Sequence, residues 1–295
     1  MTKVALIYTD NRENGVIEAI DLLNNNPVQG KNVILKPNFN TADPAPGSTA
    51  IETLRALILK IREMGAQSIT LAERSGPADT QEVLEKKGVI TLAEELNFEI
   101  VNLATIGDEG YIHFVPEDSH WKDGFLFAKI YRDAECIVET CCLKTHQYGG
   151  HFTLSLKNAV GLVPRAGHEY MRELHSSEHQ RKMIAEINTA FTPDLIVMDG
   201  VEVFVDGGPD KGTRKKANVM LASPDRIAID AVAVAILRIL GTTPEVSKGP
   251  VFEQEQIARA VELGLGVSSP SEIELLTKSK EATELAEKIR SRLEE

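Results

Sequence analysis

The amino-acid sequence predicts an α/β protein, a mostly parallel sheet with helices on both faces. Short β-branched apolar runs alternate with longer stretches of helical period. Turns rich in Gly, Pro and Asn separate them. Polar clusters follow successive strand candidates: Lys36-Pro37-Asn38, Glu73-Arg74-Ser75, Lys144-Thr145-His146, Asp199-Gly200 and Ser223-Pro224-Asp225. In open α/β sheets ligands bind beyond the carboxyl ends of the strands, so these clusters are expected to converge on one edge.

Val4–Tyr8 is the first strand candidate, followed by a helix over Asn11–Asn24 that the Asn-Asn-Asn-Pro turn ends. Asn32–Leu35 is the second strand. After a loop at Thr41–Gly47, Ser48 or Thr49 caps a helix with Ile51, Leu54, Leu57, Ile58 and Ile61 on one stripe, ending at Gly65. Ser68–Leu71 is the third strand. Asp79 or Thr80 caps the next helix, Gly88 interrupts it, and a short helix spans Leu92–Leu96. Glu99–Leu103 is a further strand.

Residues 104–130 are less regular and read as a small insertion or subdomain. Glu135–Thr140 is a central strand, with the cluster from Cys141 to His146 as the loop that leaves it. A helix ends over Lys182–Phe191, and Leu195–Met198 is a buried strand closed by Asp199-Gly200. The segment Asp206–Thr213 reads as a solvated hairpin tip, or as an anion-attracting rim. Asn218–Ala222 is the last clear strand, and Asp225 caps Arg226–Leu240, a helix apolar nearly all round and so expected to be buried. One domain is expected over 1–270, with an amphipathic helical tail over 271–295.

A chain of 295 residues can bury a large core. Its net charge of −12 argues against nucleic-acid binding, which needs a cationic surface. No apolar run reaches about eighteen residues, so no membrane span is expected. The first residues enter a strand pattern without a signal-peptide layout. Three cysteines, two of them adjacent, predict free thiols in a reducing, cytoplasmic setting. They cannot supply the four thiolates of an iron–sulfur cluster.

The chemistry concentrates between Lys144 and Asn158. Lys144 and His146 alternate by two, so an extended segment would put them on one face. A lysine in apolar surroundings has a lowered pKa and a histidine titrates near neutrality, which suits acid–base work. Each could equally be solvated or bonded to backbone. Lys157-Asn158 sits in an otherwise apolar segment ending at Gly161, where paired polar groups need partners, either a bound anion or a structural network. Lys36 and Asn38 could present an ammonium and an amide to a carboxylate or phosphate, or be an ordinary strand exit. Asp230, an acid in an apolar helix, is either a structural hydrogen-bonder or part of the site. His175-Ser176-Ser177-Glu178-His179 matches the H-x-x-E-H zinc pattern, but clustered histidines make coincidence the preferred reading.

In order along the chain, Lys36-Pro37-Asn38, Glu73-Arg74-Ser75-Gly76, Lys144-Thr145-His146, Leu156-Lys157-Asn158-Ala159-Val160-Gly161, Asp199-Gly200 and Ser223-Pro224-Asp225 with Asp230 resemble domain-of-unknown-function family 362. The resemblance runs from about Val4 to about Gly241. It implies a prokaryotic α/β protein. Some relatives carry ferredoxin-type iron–sulfur modules, implying a redox setting; this chain has no cysteine-rich module.

The expectation is therefore an enzyme acting on a small anionic metabolite. Lys36, Lys144 and Lys157 would hold the anion with Asp225 nearby, Asn38 and Asn158 would orient it, and Lys144, His146 and Asp230 would carry acid–base or redox chemistry. No cofactor or resident metal is assigned. The alternative is a non-catalytic metabolite- or metal-binding protein, partnering an iron–sulfur protein. Self-association or a redox partner is left open, with no nucleic acid or membrane partner.

Overall fold

Successive side chains of a strand point to opposite faces, and in the first strand both faces are apolar. Val4 and Leu6 pack into one hydrophobic cluster and Ala5 and Ile7 into another. A strand buried on both sides needs a covering layer on each, which is why helices flank this sheet on both faces. The computed structural model describes residues 1–295.

Along the chain run β1 (Thr2–Tyr8), α1 (Arg12–Leu23), β2 (Asn32–Lys36), α2 (Ile51–Glu63), β3 (Ser68–Glu73), α3 (Thr80–Lys86), α4 (Val89–Leu96) and β4 (Glu99–Asn102). Then follow the β5 (Tyr111–Phe114) and β6 (Phe125–Ala128) pair, α5 (Lys129–Arg132), β7 (Cys136–His146), β8 (His151–Thr153), α6 (Ser155–Asn158), α7 (Tyr170–Ser176) and α8 (Gln180–Ile187). The chain closes with β9 (Leu195–Gly207), β10 (Gly212–Ser223), α9 (Arg226–Leu240), α10 (Pro244–Ser247), α11 (Glu255–Glu262), β11 (Ile273–Thr277) and α12 (Lys280–Glu294).

The main sheet has the order β11-β1-β10-β9-β7-β2-β3-β4, with β8 paired to β7. All its pairings are parallel except those of β10 and β8. The α/β class and the mostly parallel sheet thus stand. Hydrophobic residues of α1 and α2 cover one face, and those of α9 and α12 the other. Arg226 to Leu237 of α9 are all buried.

The main departure lies at β9 and β10. A turn of four residues joins them, and so short a link forces an antiparallel pair. Both strands run much longer than Leu195–Met198 and Asn218–Ala222, with Gly212 opposite Gly207 and Ser223 opposite Ile196. The carboxyl end of β10 therefore meets the amino ends of the other strands. Asp225 sits on the edge opposite Lys36 and Glu73, against the expected convergence. The hairpin tip is solvated on one side only: Asp206 and Lys211 to Thr213 are exposed, while Gly208 and Pro209 are buried. Gly208 has φ +73°, and a Cβ there would lie 2.0 Å from the Thr145 carbonyl oxygen, so only glycine permits the tip to fold onto β7.

The insertion is a two-stranded antiparallel sheet whose Tyr111, Trp121, Phe125 and Phe127 form a third cluster with Leu174, Met183 and Ile184. The last segment is not wholly helical. Ile273–Thr277 pairs with β1, and Ala282, Ala286, Ile289 and Leu293 of α12 enter the main core. The β-branched and leucine side chains of Ile273-Glu274-Leu275-Leu276-Thr277 find a free strand edge, which outweighs their helical context.

Candidate functional site

Cys141 to His146 is not a loop. β7 continues through it, because Cys141 and Cys142 pair with Met198 and Asp199 of β9, and Lys144 to His146 pair with Thr153 to His151 of β8. This extension carries Lys144 and His146 beyond the level where β2 ends. They meet there the side chains from β2, from the β3 exit and from α6.

The result is a cleft of about 740 Å³. Lys36, Asn38, Lys144, His146, Lys157 and Asn158, six of the eight residues singled out from the sequence, line it. Glu73, Arg74, Thr153, Arg165, His175 and Asp210 stand beside them in its polar wall, with Asn40, Thr41 and Tyr148. Five of these side chains are Lys or Arg and two are carboxylates, so the cleft is cationic inside a chain of net charge −12.

The two remaining residues lie elsewhere. Asp225 is the N-cap of α9 and accepts from the N–H groups of Ile227, Ala228 and Val267 at 2.8, 2.9 and 2.9 Å. A carboxylate so occupied on the far edge cannot touch a ligand in the cleft. Asp230 is fully buried beneath it and accepts from the Ser155 and Leu156 N–H groups at 2.8 and 3.0 Å. It holds the first turn of α6, and so positions Lys157 and Asn158 without facing the cleft. Asp199 faces the other side, where Arg12 Nε and Thr53 Oγ1 donate to it at 2.7 and 2.9 Å.

Lys36 is no solvated strand exit. Its ammonium lies 2.9 Å from both Glu73 oxygens, 2.7 Å from the Pro37 carbonyl and 3.3 Å from Asn158 Oδ1. Asn38 Nδ2 donates to the same Asn158 Oδ1 at 3.1 Å, and Asn158 Nδ2 donates to Glu139 at 3.1 Å. Glu139, which sequence reasoning missed, closes the network through Ser155 Oγ at 3.1 Å. Burial pushes its carboxyl up to about 7, although Arg226, Asn158 and Lys36 pull the other way.

Lys144 is fully buried and donates to the carbonyls of Gly47 and Pro209 at 2.5 and 3.0 Å. It ties the α2 approach and the hairpin tip to β7 and keeps one of three N–H donors free. Burial lowers its pKa. Lys157 has neither a carboxylate nor a hydrogen-bond partner. Burial first, then Lys144 and Arg74, pushes it down to about 8. Burial and the neighbouring Lys157, Lys144 and His175 hold His146 well below the ordinary imidazole range, so it is neutral near pH 7. An added Cβ at Gly150 would stand 2.8 Å from Lys157 Cε and 3.0 Å from His146 Nδ1, so the two side chains meet beside that glycine.

Four buried polar atoms of the cleft walls lack any partner: Asn38 Oδ1, Arg74 Nε, His146 Nδ1 and Thr153 Oγ1. A buried polar group without a partner costs about 1–3 kcal/mol, so these four atoms lie under the cleft surface at an energetic cost to the fold.

The zinc-like pattern dissolves. α7 ends at Ser176, and His179 stands beyond the break, its ring 4.5 Å from that of His120. His175 faces the cleft instead, with Nδ1 3.0 Å from Gln180. Cys136, Cys141 and Cys142 are buried and unbridged. Burial pushes the Cys136 and Cys142 thiols up to about 12 and about 11 and Cys141 higher than usual, which makes all three poor nucleophiles.

Arg74, Thr153, His175 and Arg165 were not singled out from the sequence as site residues. The first follows β3 directly and was visible in the Glu73-Arg74-Ser75 cluster. Arg165 gave no signal, lying in an ordinary Pro-Arg-Ala-Gly turn.

A model of the family described as Domain of unknown function (DUF362) matches residues 33–235. A thylakoid-associated protein of Synechocystis, sll1697, is 26% identical over 267 residues, covering 88% of this chain and 78% of that protein. Among solved structures, the lactate racemase apoprotein of Thermoanaerobacterium thermosaccharolyticum aligns with 75% of this chain at 15% identity and a TM-score of 0.48. The alignment spans about half of that longer chain, 54%. No helix is long and apolar enough to cross a membrane.

Proposed function

The chain belongs to the family of unknown function DUF362, and we propose that it is an enzyme that binds an organic anion in this cleft and moves a proton to or from it. The observation that carries the reading is the pairing of His146 and Lys157. One is a neutral imidazole with an unpartnered buried nitrogen, and the other an ammonium with no counter-ion. A neutral imidazole accepts a proton at physiological pH, and a nearby cation steadies the negative charge left on the substrate.

In this reading Lys157 receives the anionic group, and the buried charges of Lys144 and Arg74 add positive potential from the cleft wall. Asn38 and Thr153 help shape the wall against which the rest of the molecule lies. The His146 imidazole takes the proton and returns it, and Lys157 near its own pKa can serve as the acid on the other side. Lys36, Glu73, Asn158 and Glu139 form the buried network that fixes these groups, and Asp230 anchors the helix they share. The reducing, cytoplasmic setting belongs to the same proposal; three unbridged buried thiols support it.

The test is proton exchange. A panel of hydroxy, keto and amino acids incubated with the protein in deuterium oxide should show deuterium at one carbon position by NMR. His146→Gln should abolish it, and Lys157→Met should slow it at least tenfold. Exchange that persists unchanged in both variants would overturn the assignment.

A further inference from the structure

Three lysines line the cleft, and two are occupied. Lys36 is bound to Glu73 and the Pro37 carbonyl, and Lys144 to the Gly47 and Pro209 carbonyls. Lys157 differs. It is half-buried, its amine makes no hydrogen bond or ion pair, and the charged groups that act on it, Lys144 and Arg74, are cations. We propose that Lys157 is a nucleophile that forms a Schiff base with the carbonyl carbon of a 2-oxo acid. The inference rests on the reading of the cleft as an anion site and names its substrate class.

A nucleophilic lysine needs a fixed stem, a neutral amine and a proton carrier. The stem is fixed, because Asp230 holds the first turn of α6, from which Lys157 projects into the cleft. Burial beside two cations disfavours the ammonium, the arrangement that activates lysines toward carbonyls. An ordinary lysine at 10.5 has about one amine in three thousand neutral at pH 7, whereas Lys157 at about 8 has about one in ten. The carrier is His146, a neutral imidazole. Its ring and the Lys157 stem pass the same glycine, where a Cβ on Gly150 would stand 3.0 Å from Nδ1 and 2.8 Å from Cε.

The step balances without a further reactant. The neutral amine adds to the carbonyl carbon, a C–N bond forms, and the C=O π pair moves to oxygen, which takes a proton. That oxygen then leaves as water while the nitrogen lone pair closes the C=N bond. Overall, one ammonium and one 2-oxo acid give one iminium and one water. The iminium keeps the positive charge of Lys157 one bond from the carbon that bears the carboxylate, so the pairing with the anion survives the step. It also draws electrons from the carbon on the other side of the former carbonyl. There the His146 imidazole can take a proton, and the C–H pair moves in to leave an enamine. The proton transfer assigned to the cleft thereby gains an electron sink. A cleft of about 740 Å³ has room for a side chain on the acid, which Val160 and Met171 would meet.

The experiment is reductive trapping. The full chain is incubated with pyruvate, 2-oxobutyrate or 2-oxoglutarate, reduced with sodium borohydride, digested and read by mass spectrometry. With at least one acid, Lys157 should gain the mass of that acid less one oxygen. 2-Hydroxybutyrate, which has no carbonyl, should leave Lys157 unmodified. Lys157→Arg keeps the charge and removes the amine, so it should lose the adduct and slow deuterium exchange beside the carbonyl at least a hundredfold. No adduct in the wild type, label on exposed lysines with none on Lys157, or exchange that survives Lys157→Arg overturns the Schiff base. Exchange in the wild type separates the two readings. Exchange above the buffer rate without an adduct removes the Schiff base and leaves the anion cleft standing. Neither adduct nor exchange across the wider panel of hydroxy, keto and amino acids removes both.

Discussion

Lys36 Nζ stands 2.9 Å from each carboxylate oxygen of Glu73, and the two side chains are 3% and 1% exposed. The pair bridges the ends of neighbouring parallel strands. Removing one member leaves an uncompensated buried charge. Glu73→Ala and Lys36→Ala should each destabilise the fold by about 3–5 kcal/mol. Urea denaturation of both singles and the double variant gives the coupling; a double variant as unstable as the two single losses added would contradict a direct pair.

Asp230 works on the site from below. Asp230→Ala strands the Ser155 and Leu156 N–H groups, at roughly 1–3 kcal/mol for each buried donor left unmade. Asp230→Asn keeps one acceptor oxygen and should cost less. Both should weaken anion binding through the displacement of Lys157 and Asn158, which calorimetry with phosphate would register. Full affinity in Asp230→Ala would show that α6 holds its place unaided.

Lys157 gives a pH signature of opposite sign for binding and stability. Its pKa falls from the ordinary lysine value of 10.5 to about 8 in the folded protein. The charged form binds anions, so affinity should be full below pH 8 and decline above it. Between pH 8 and 10.5 the unfolded chain holds the extra proton, so this residue makes the fold more stable as pH rises through that window. Lys157→Met should therefore raise the melting temperature at pH 7 while weakening anion binding. A melting temperature that falls would mean the ammonium has a partner.

Glu139 runs the other way. Its folded carboxyl sits at about 7 against an ordinary 4.5. Between those values the folded state holds the proton and the unfolded state does not, so this group's contribution to stability is full below pH 4.5 and is lost as pH rises through 7. Glu139→Gln should flatten that part of the stability profile measured by denaturant titration between pH 5 and 8. A slope unchanged in the variant would exclude Glu139 as its source.

The three thiols should be silent in the native protein. A maleimide should label Cys136, Cys141 and Cys142 only after denaturation, with mass spectrometry counting the adducts. Rapid labelling of any one under native conditions would contradict its burial.

The alternation of strand and helix along the chain was legible, because buried parallel strands are unbroken apolar runs with turn residues at their ends. So was the cleft: Lys36, Lys144, His146 and Lys157 lie just past strands or in a short helix that packs on them. What local pattern could not supply was direction. Ser223-Pro224-Asp225 follows a strand as the others do, but only the turn at Gly208–Lys211 says that β10 runs backwards. Nor could pattern supply partners. Asp230 looked like a site residue because its charge is buried; its carboxylate answers two N–H groups 74 and 75 positions away in sequence. Glu139 looked like one polar residue in a strand, and its weight comes from Asn158 and Ser155, which reach it from a different element.

The sheet order has a temporal side. β1 lies between β10 and β11, so it is made well before either of the strands that border it. Its row of backbone groups has no permanent partner until more than two hundred further residues exist. At about 5–20 residues per second that delay is on the order of 10–40 s. The apolar Val4-Ala5-Leu6-Ile7 stretch lacks its final neighbours for that interval. The middle of the chain, where β2, β3 and β4 adjoin in sequence as well as in space, can assemble meanwhile and wait for its first strand to be claimed.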